Sequence, residues 1–258
     1  QVAFSNVGQG KGNYIQDINT IANGRVFKWV APDTVNGTLS LQGNYEPITM
    51  LATPKQNQMV TISGSYQISE RTKALFETAI TSNDLNTFSL LDDEDNLGIA
   101  YKIGFQNIKD LNSESPNSWE LLSSLTYQQV EKRFKPIERF RKVEFERNWN
   151  LDSKLDTDHE YIPGIAMELL KKDVGFIRYK LNSFIKGEQY FGLKNNASIN
   201  LRKNGWITDF TGSYLETKTT KTTSAFIRSK GSFSKQVKGL VIGFGEEQEN
   251  NLFVDLVS

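Results

Sequence analysis

From Asn96 to Gln106 the chain alternates strictly. Leu97, Ile99, Tyr101, Ile103 and Phe105 fall on one side, and Gly98, Ala100, Lys102, Gly104 and Gln106 on the other. A period of two residues is that of a pleated strand, because a helix would scatter the same apolar set around its circumference. The pattern recurs from Met59 onward. Val60, Ile62, Gly64, Tyr66 and Ile68 oppose Thr61, Ser63, Ser65 and Gln67, and the turn Ser69–Thr72 leads into Ala74, Phe76, Thr78 and Ile80. Two such runs around a tight turn predict a hairpin. Further alternating sets begin at Trp119, Val143, Ile165, Ile177, Ala197, Trp206 and Leu240, with turns expected at Lys171–Val174, Arg202–Gly205 and Lys218–Lys221. The stretch Val143, Phe145, Trp149, Leu151 reads as one more strand, interrupted by Arg147. The whole predicts an all-β chain, an antiparallel meander of about a dozen strands of roughly 8 to 13 residues.

Residues 1–58 differ from the remainder. Short apolar pieces at Arg25–Val30 and Thr38–Leu41 are punctuated by Pro32, Pro47 and Pro54, which predicts an irregular, strand-containing N-terminal segment. Gly8, Gly10 and Gly12 surround Lys11, but the Gly-Lys-Ser/Thr order of a phosphate loop is missing, so a loosened loop or edge strand is the preferred reading.

For residues 59–258, strand length separates two architectures. Sandwich strands have a mode of about 5 to 6 residues, whereas about 9 to 11 residues cross a bilayer at a tilt. The long alternating runs favour the second, and so does a face of Lys, Arg, Glu, Gln, Ser and Gly opposite the apolar one, as in a wetted or plugged lumen. Trp119, Tyr127, Trp149, Trp206 and Tyr214 are expected near strand ends, as an interfacial girdle. In hydrocarbon only a closed ring satisfies every backbone group, so the strands are expected to form all or part of an outer-membrane β-barrel. The end at Asp255-Leu-Val-Ser258 lacks the aromatic residue that commonly terminates bacterial barrels, and leads us to expect a piece of a longer protein.

Composition narrows the functional classes. Thirty Lys+Arg balance 30 Asp+Glu, which leaves no basic surplus for a nucleic-acid partner. No cysteine is present, so disulfides, thiol chemistry and Cys-based zinc sites are excluded. His159 is the single histidine, which excludes a multi-imidazole metal site. It stands between Asp158 and Glu160 as a conceivable base, without a nucleophile motif, and a loop histidine is the preferred reading. The run Asp92, Asp93, Glu94, Asp95 offers hard oxygen ligands, and Asp92, Asp93 and Asp95 are candidate Ca2+ ligands; the spacing is not that of an EF-hand, and a solvated loop is preferred. Lys132, Arg133, Lys135, Arg139, Arg141 and Lys142 interleave with Phe134 and Phe140, a pattern read as a strand rim or loop.

The pieces Gly8–Tyr14, Val26–Pro32, Gly43–Pro47, Asp84–Phe88, Asp95–Ala100 and Val143–Trp149 resemble segments of very large outer-membrane proteins of the Bacteroidota. The resemblance is confined to scattered stretches of the first 150 residues. It implies a cell-envelope location and a barrel of many strands, and carries no catalytic residues.

Three functions are therefore expected, in this order. The first is a non-catalytic outer-membrane barrel component with a pore, transport or protein-translocation role. Its partners would be membrane lipid and other envelope proteins, or the remainder of a longer chain. The second is a soluble secreted β-sheet module that binds glycan or protein. The third is a barrel-embedded enzyme such as a lipid hydrolase, dependent on His159.

Overall fold

The computed structural model describes residues 2–35, 38–50, 53–89, 91, 93–112, 117–151 and 155–255. The chain divides into two compact units, residues 1–54 and 55–258. The first contains β1 (Ser5–Asn6), β2 (Tyr14–Asp17), β3 (Val26–Trp29), β4 (Asp33–Val35), β5 (Thr38–Ser40) and β6 (Tyr45–Glu46). A small sheet in the order β1-β6-β2-β3 is held by the rings of Phe4, Tyr14, Phe27 and Tyr45, with Phe4 and Phe27 stacked at 4.4 Å. Gly12 forms a bridge with Gly43, and the chain then enters β2. A phosphate loop would instead open a helix whose N-terminus faces the anion.

The second unit is a ten-stranded antiparallel meander. Its strands are β7 (Gln56–Ser69), β8 (Thr72–Asp84), β9 (Leu97–Asp110), β10 (Glu120–Val130), β11 (Glu160–Lys171), β12 (Gly175–Lys186), β13 (Tyr190–Lys203), β14 (Trp206–Thr219), β15 (Thr222–Val237) and β16 (Leu240–Asp255). Sequence neighbours pair throughout, and β7 and β16 are the two edges of a sheet that is not closed. The predicted strand around Val143 is absent. Phe145–Trp149 forms the short helix α1 instead, ended by Asn150 in the left-handed conformation at φ 49°. Phe145 and Trp149 are four residues apart, so one helical turn puts both rings on one side.

The turns follow residue chemistry. Asn204 and Gly205 both have positive φ, 52° and 77°, the pairing that a tight two-residue hairpin requires. Tight turns at 70–71, 172–174, 204–205 and 238–239, with the 111–119 loop, define one rim, here the turn rim. The long connections 85–96 and 131–159 leave from the other, the loop rim, together with the short turns 187–189 and 220–221.

The strands are staggered. One register row runs Tyr66, Ala74, Phe105, Leu125, Ile165, Leu181, Asn195, Tyr214, Ile227, Asn250. From this row to the last paired residue at the turn rim is two residues on β8 (Thr72), five on β10 (Glu120), six on β11 (Lys171), eight on β13 (Lys203) and ten on β15 (Val237). A progressive offset of about one residue per strand means that the strands tilt relative to the rims, as barrel walls do.

The core lies to one side of this sheet. Trp149, Phe184, Tyr190 and Leu215 are buried, with Phe145, Leu151, Leu155, Ile162 and Phe226 packed against them. Phe184, Tyr190, Leu215, Ile162 and Phe226 all project from the same face, and α1 lies over them. The opposite face is the apolar one, and it is bare. Val60, Ile103, Leu125 and Ile242 are 61%, 53%, 55% and 65% exposed. The expected girdle is thus corrected at two positions: Trp149 is in the buried cluster, and Tyr214 lies within β14 rather than at its end.

Candidate functional site

The polar face is assembled from alternate residues of all ten strands. In one register row it carries Gln67, Lys73, Gln106, Ser124, Lys180 and Asn196, and continues to Arg228 and Glu249. Cross-strand partners neutralise much of the charge. Glu168 pairs with Arg178 directly opposite it, Arg228 with Glu249 at 3.0 Å and Lys230 with Glu247 at 2.9 Å. The Asn200 amide donates to Asp209. Such a surface exchanges hydrogen bonds with water and polar solutes at little desolvation cost.

Toward the loop rim the 131–159 connection covers this face. Two strand glycines allow it to approach. A Cβ at Gly98 would collide with the backbone of Arg133 and Phe134, and one at Gly192 would come within 2.6 Å of the Tyr190 hydroxyl and 3.1 Å of the Trp149 ring. Polar contacts fasten the connection, among them the following four. The Tyr190 hydroxyl donates to the Trp149 carbonyl, Lys194 Nζ to the Asn148 carbonyl at 3.0 Å, Asn150 Nδ2 to Ser224 Oγ at 3.2 Å, and the Lys135 amide to Thr81 Oγ1 at 3.2 Å.

At the edge of the cover, Arg141 pairs with Glu160, whose carboxylate also lies 3.6 Å from Lys186 Nζ. The guanidinium stacks over Phe145 at 4.2 Å from its ring centre. Glu160→Gln leaves two cations facing an amide in a largely shielded site, and is expected to cost about 2 kcal/mol. Chemical denaturation of the two proteins measures this directly, and equal midpoints would mean that the cluster is structurally idle.

Between connection and sheet lies a cleft of about 550 Å³, lined by Glu77, Lys102 and Gln128 from the sheet and Phe134, Phe140 and Arg141 from the connection. A second, of about 480 Å³, lies on the polar face nearer the turn rim, among Lys73, Gln106, Glu168, Arg178 and Lys180.

The candidate calcium ligands are described in part. Asp92 lies outside the described residues; Asp93 and Asp95 belong to a single 3-10 turn. Asp95 lines a cleft with Lys132, Arg133 and Lys135, and Arg133 donates to the Glu94 carbonyl at 3.1 Å. Among the described residues no three His, Asp or Glu side chains gather as a metal site. His159 lies just before β11. Its amide donates to its neighbour Asp158 at 2.7 Å, while its ring Nδ1 is buried without a hydrogen-bond partner and Glu160 is engaged by Arg141 and Lys186.

Sequence reasoning missed the cover itself. Its signals were Gly98 and Gly192 inside strands, where a glycine often marks close approach of another segment, and the four-residue spacing of Phe145 and Trp149. No helix of the described residues is long and apolar enough to cross a membrane, a statement that does not bear on strands. Comparison with known protein families, characterised proteins and solved structures finds no match for this chain.

Proposed function

We propose that residues 55–258 are the wall, or a sector of the wall, of an outer-membrane β-barrel with a pore, transport or translocation role. One observation carries this reading: on four strands of the bare face the apolar set has the same height. It spans nine residues on each of four strands, Val60–Ile68 on β7, Leu97–Phe105 on β9, Ile177–Ile185 on β12 and Trp206–Tyr214 on β14. Nine residues is the length that crosses hydrocarbon at a tilt.

Between β9 and β14 the band also climbs with the stagger. On the row through Phe105 and Tyr214, its centre lies four residues toward the loop rim on β9, at Tyr101, and four toward the turn rim on β14, at Phe210. A soluble sheet has no reason to slant its apolar stripe across its own strands, whereas a tilted wall in a bilayer must. Area argues the same way. Eight strands, β7 to β14, about 4.8 Å apart with a band about 27 Å long make a face of roughly 1,000 Å², against about 300 to 600 Å² for the largest apolar patch of a typical soluble monomer; on β16 this face carries Glu246, Gln248 and Asn250.

The opposite face supplies a wet, charge-paired lining, and the 131–159 connection narrows the space beside it at the loop rim. The resemblance of the scattered segments to Bacteroidota outer-membrane proteins points the same way. The reading is non-catalytic, with membrane lipid as the first partner.

The test is extraction of the expressed protein, followed by electrophoresis with and without boiling. Protein that needs detergent and shifts mobility on heating is the expected result. Protein that is monodisperse in plain buffer overturns it and makes glycan or protein binding the leading question.

A further inference from the structure

The margin of the apolar band differs between the two rims. At the turn rim the bare face carries a lysine at the margin of the apolar band on four strands: Lys171 on β11 and Lys203 on β13 directly follow it, Lys109 on β9 comes after Asn107, and Lys235 on β15 stands between Phe233 and Val237. Measured from the row through Phe105 they stand four, six, eight and eight residues out, so they climb with the stagger and stay at one level of the wall. Among the described residues none of the four is in an ion pair.

Trp206 stands between two of them, opposite Lys203 on one side and Lys235 on the other. Lys235 Nζ lies 4.5 Å from the centre of the Trp206 ring, and that ring stacks on Phe233 at 4.8 Å. An indole flanked by ammonium groups at the end of an apolar band matches the chemistry of the bilayer interface, where the ring takes the headgroup level and the lysine stems lie on acyl chains while their charges reach outward. Two carboxylates belong to the adjoining turns, Glu70 and Asp173, and a third, Asp110, is paired with Arg71. The loop rim has no such row. There the bare face ends in Gln58, Asp84, Gln129, Glu216 and Lys218, a mixed set.

We infer that Lys109, Lys171, Lys203 and Lys235 form a lipid-facing belt that binds the phosphates of anionic phospholipid headgroups on the turn side of the bilayer. The inference rests on the barrel reading above. Short turns mark the periplasmic side of outer-membrane barrels, where the leaflet meeting this rim is phospholipid. The belt fixes the depth and orientation of the wall, because sliding it inward would draw ammonium groups into hydrocarbon.

The probe is flotation of the full chain with vesicles of phosphatidylcholine alone or with 30 mol% phosphatidylglycerol, a composition of roughly the anionic density that attracts surface lysines. Each lysine at an anionic surface strengthens association about fivefold. The unaltered chain is expected to partition at least about tenfold more strongly into the anionic vesicles, and to lose that excess in high salt. The Lys109→Gln, Lys171→Gln, Lys203→Gln, Lys235→Gln variant is expected to lose the preference while binding phosphatidylcholine vesicles as before. A control on the polar face, Lys102→Gln with Lys180→Gln, is expected to keep it. Circular dichroism identical to the parent's is the criterion for using any variant. Equal binding to both vesicles, a quadruple variant that keeps the preference, or a control that loses it overturns the belt and leaves the barrel reading standing. Failure of the unaltered chain to float with either vesicle overturns both.

Discussion

Leu125→Arg is expected to destabilise the folded chain in lipid vesicles by about 2–4 kcal/mol, the cost of a guanidinium on the hydrocarbon face near mid-bilayer. Leu125 lies on β10 between Phe105 and Ile165 in one register row and is 55% exposed. The exposure gives the experiment its direction. Were the bare face wetted, an arginine there would be neutral or helpful, as surface substitutions usually are within about 0.5 kcal/mol. In a bilayer the same side chain loses its hydration with no partner nearby. Denaturant titration in vesicles decides between them. The matched change on the other face, Ser124→Arg, is the control, because Ser124 shares its row with Lys180 and Gln106 and an added cation remains wet. A small effect at Leu125 would end the membrane reading of this face.

Phe184→Ala is expected to cost about 3–5 kcal/mol, the range for a fully buried phenylalanine. Phe184 is completely buried, and its ring meets Phe145, Trp149 and Tyr190 at centroid distances of 5.3, 5.6 and 5.4 Å. Those partners come from both the connection and the strands, so truncation opens a void under α1 and loosens the cover. Two readouts distinguish this from general unfolding. Trp149 emission should shift to the red as its ring becomes hydrated, and protease should cut within 131–159 while the strands remain protected. Unchanged cleavage together with full loss of stability would locate the role of Phe184 in the sheet rather than in the cover.

These two residues also mark where the sequence is legible. Leu125 belongs to an alternation that any reader of the chain finds, because a period of two survives whatever the strand packs against. The side of the alternation that is packed is not in the period: Leu125 and Ser124 would exchange environments if the sheet were soluble, with no change of sequence. The turns were legible for a local reason, since Asn204-Gly205 needs only its own two positive φ angles. The cover was not. Val143, Phe145, Trp149 and Leu151 fit an interrupted strand as well as a helical turn, and the contact that decides is with Phe184 and Tyr190, more than thirty residues away. Five helical residues are too few for intrinsic propensity to show. Asp95, at the end of the acidic run, lies beside the cations of the 131–159 segment.

The two bare edges place a counting rule on any finished assembly. With ten strands paired antiparallel throughout, β7 and β16 run in opposite directions. They can join each other directly, or through an even number of additional strands, and in either case every neighbour remains antiparallel. An odd number would force one parallel seam. A ring built on this sheet by antiparallel pairing alone therefore has an even strand total, whether the missing staves come from the same polypeptide or from another.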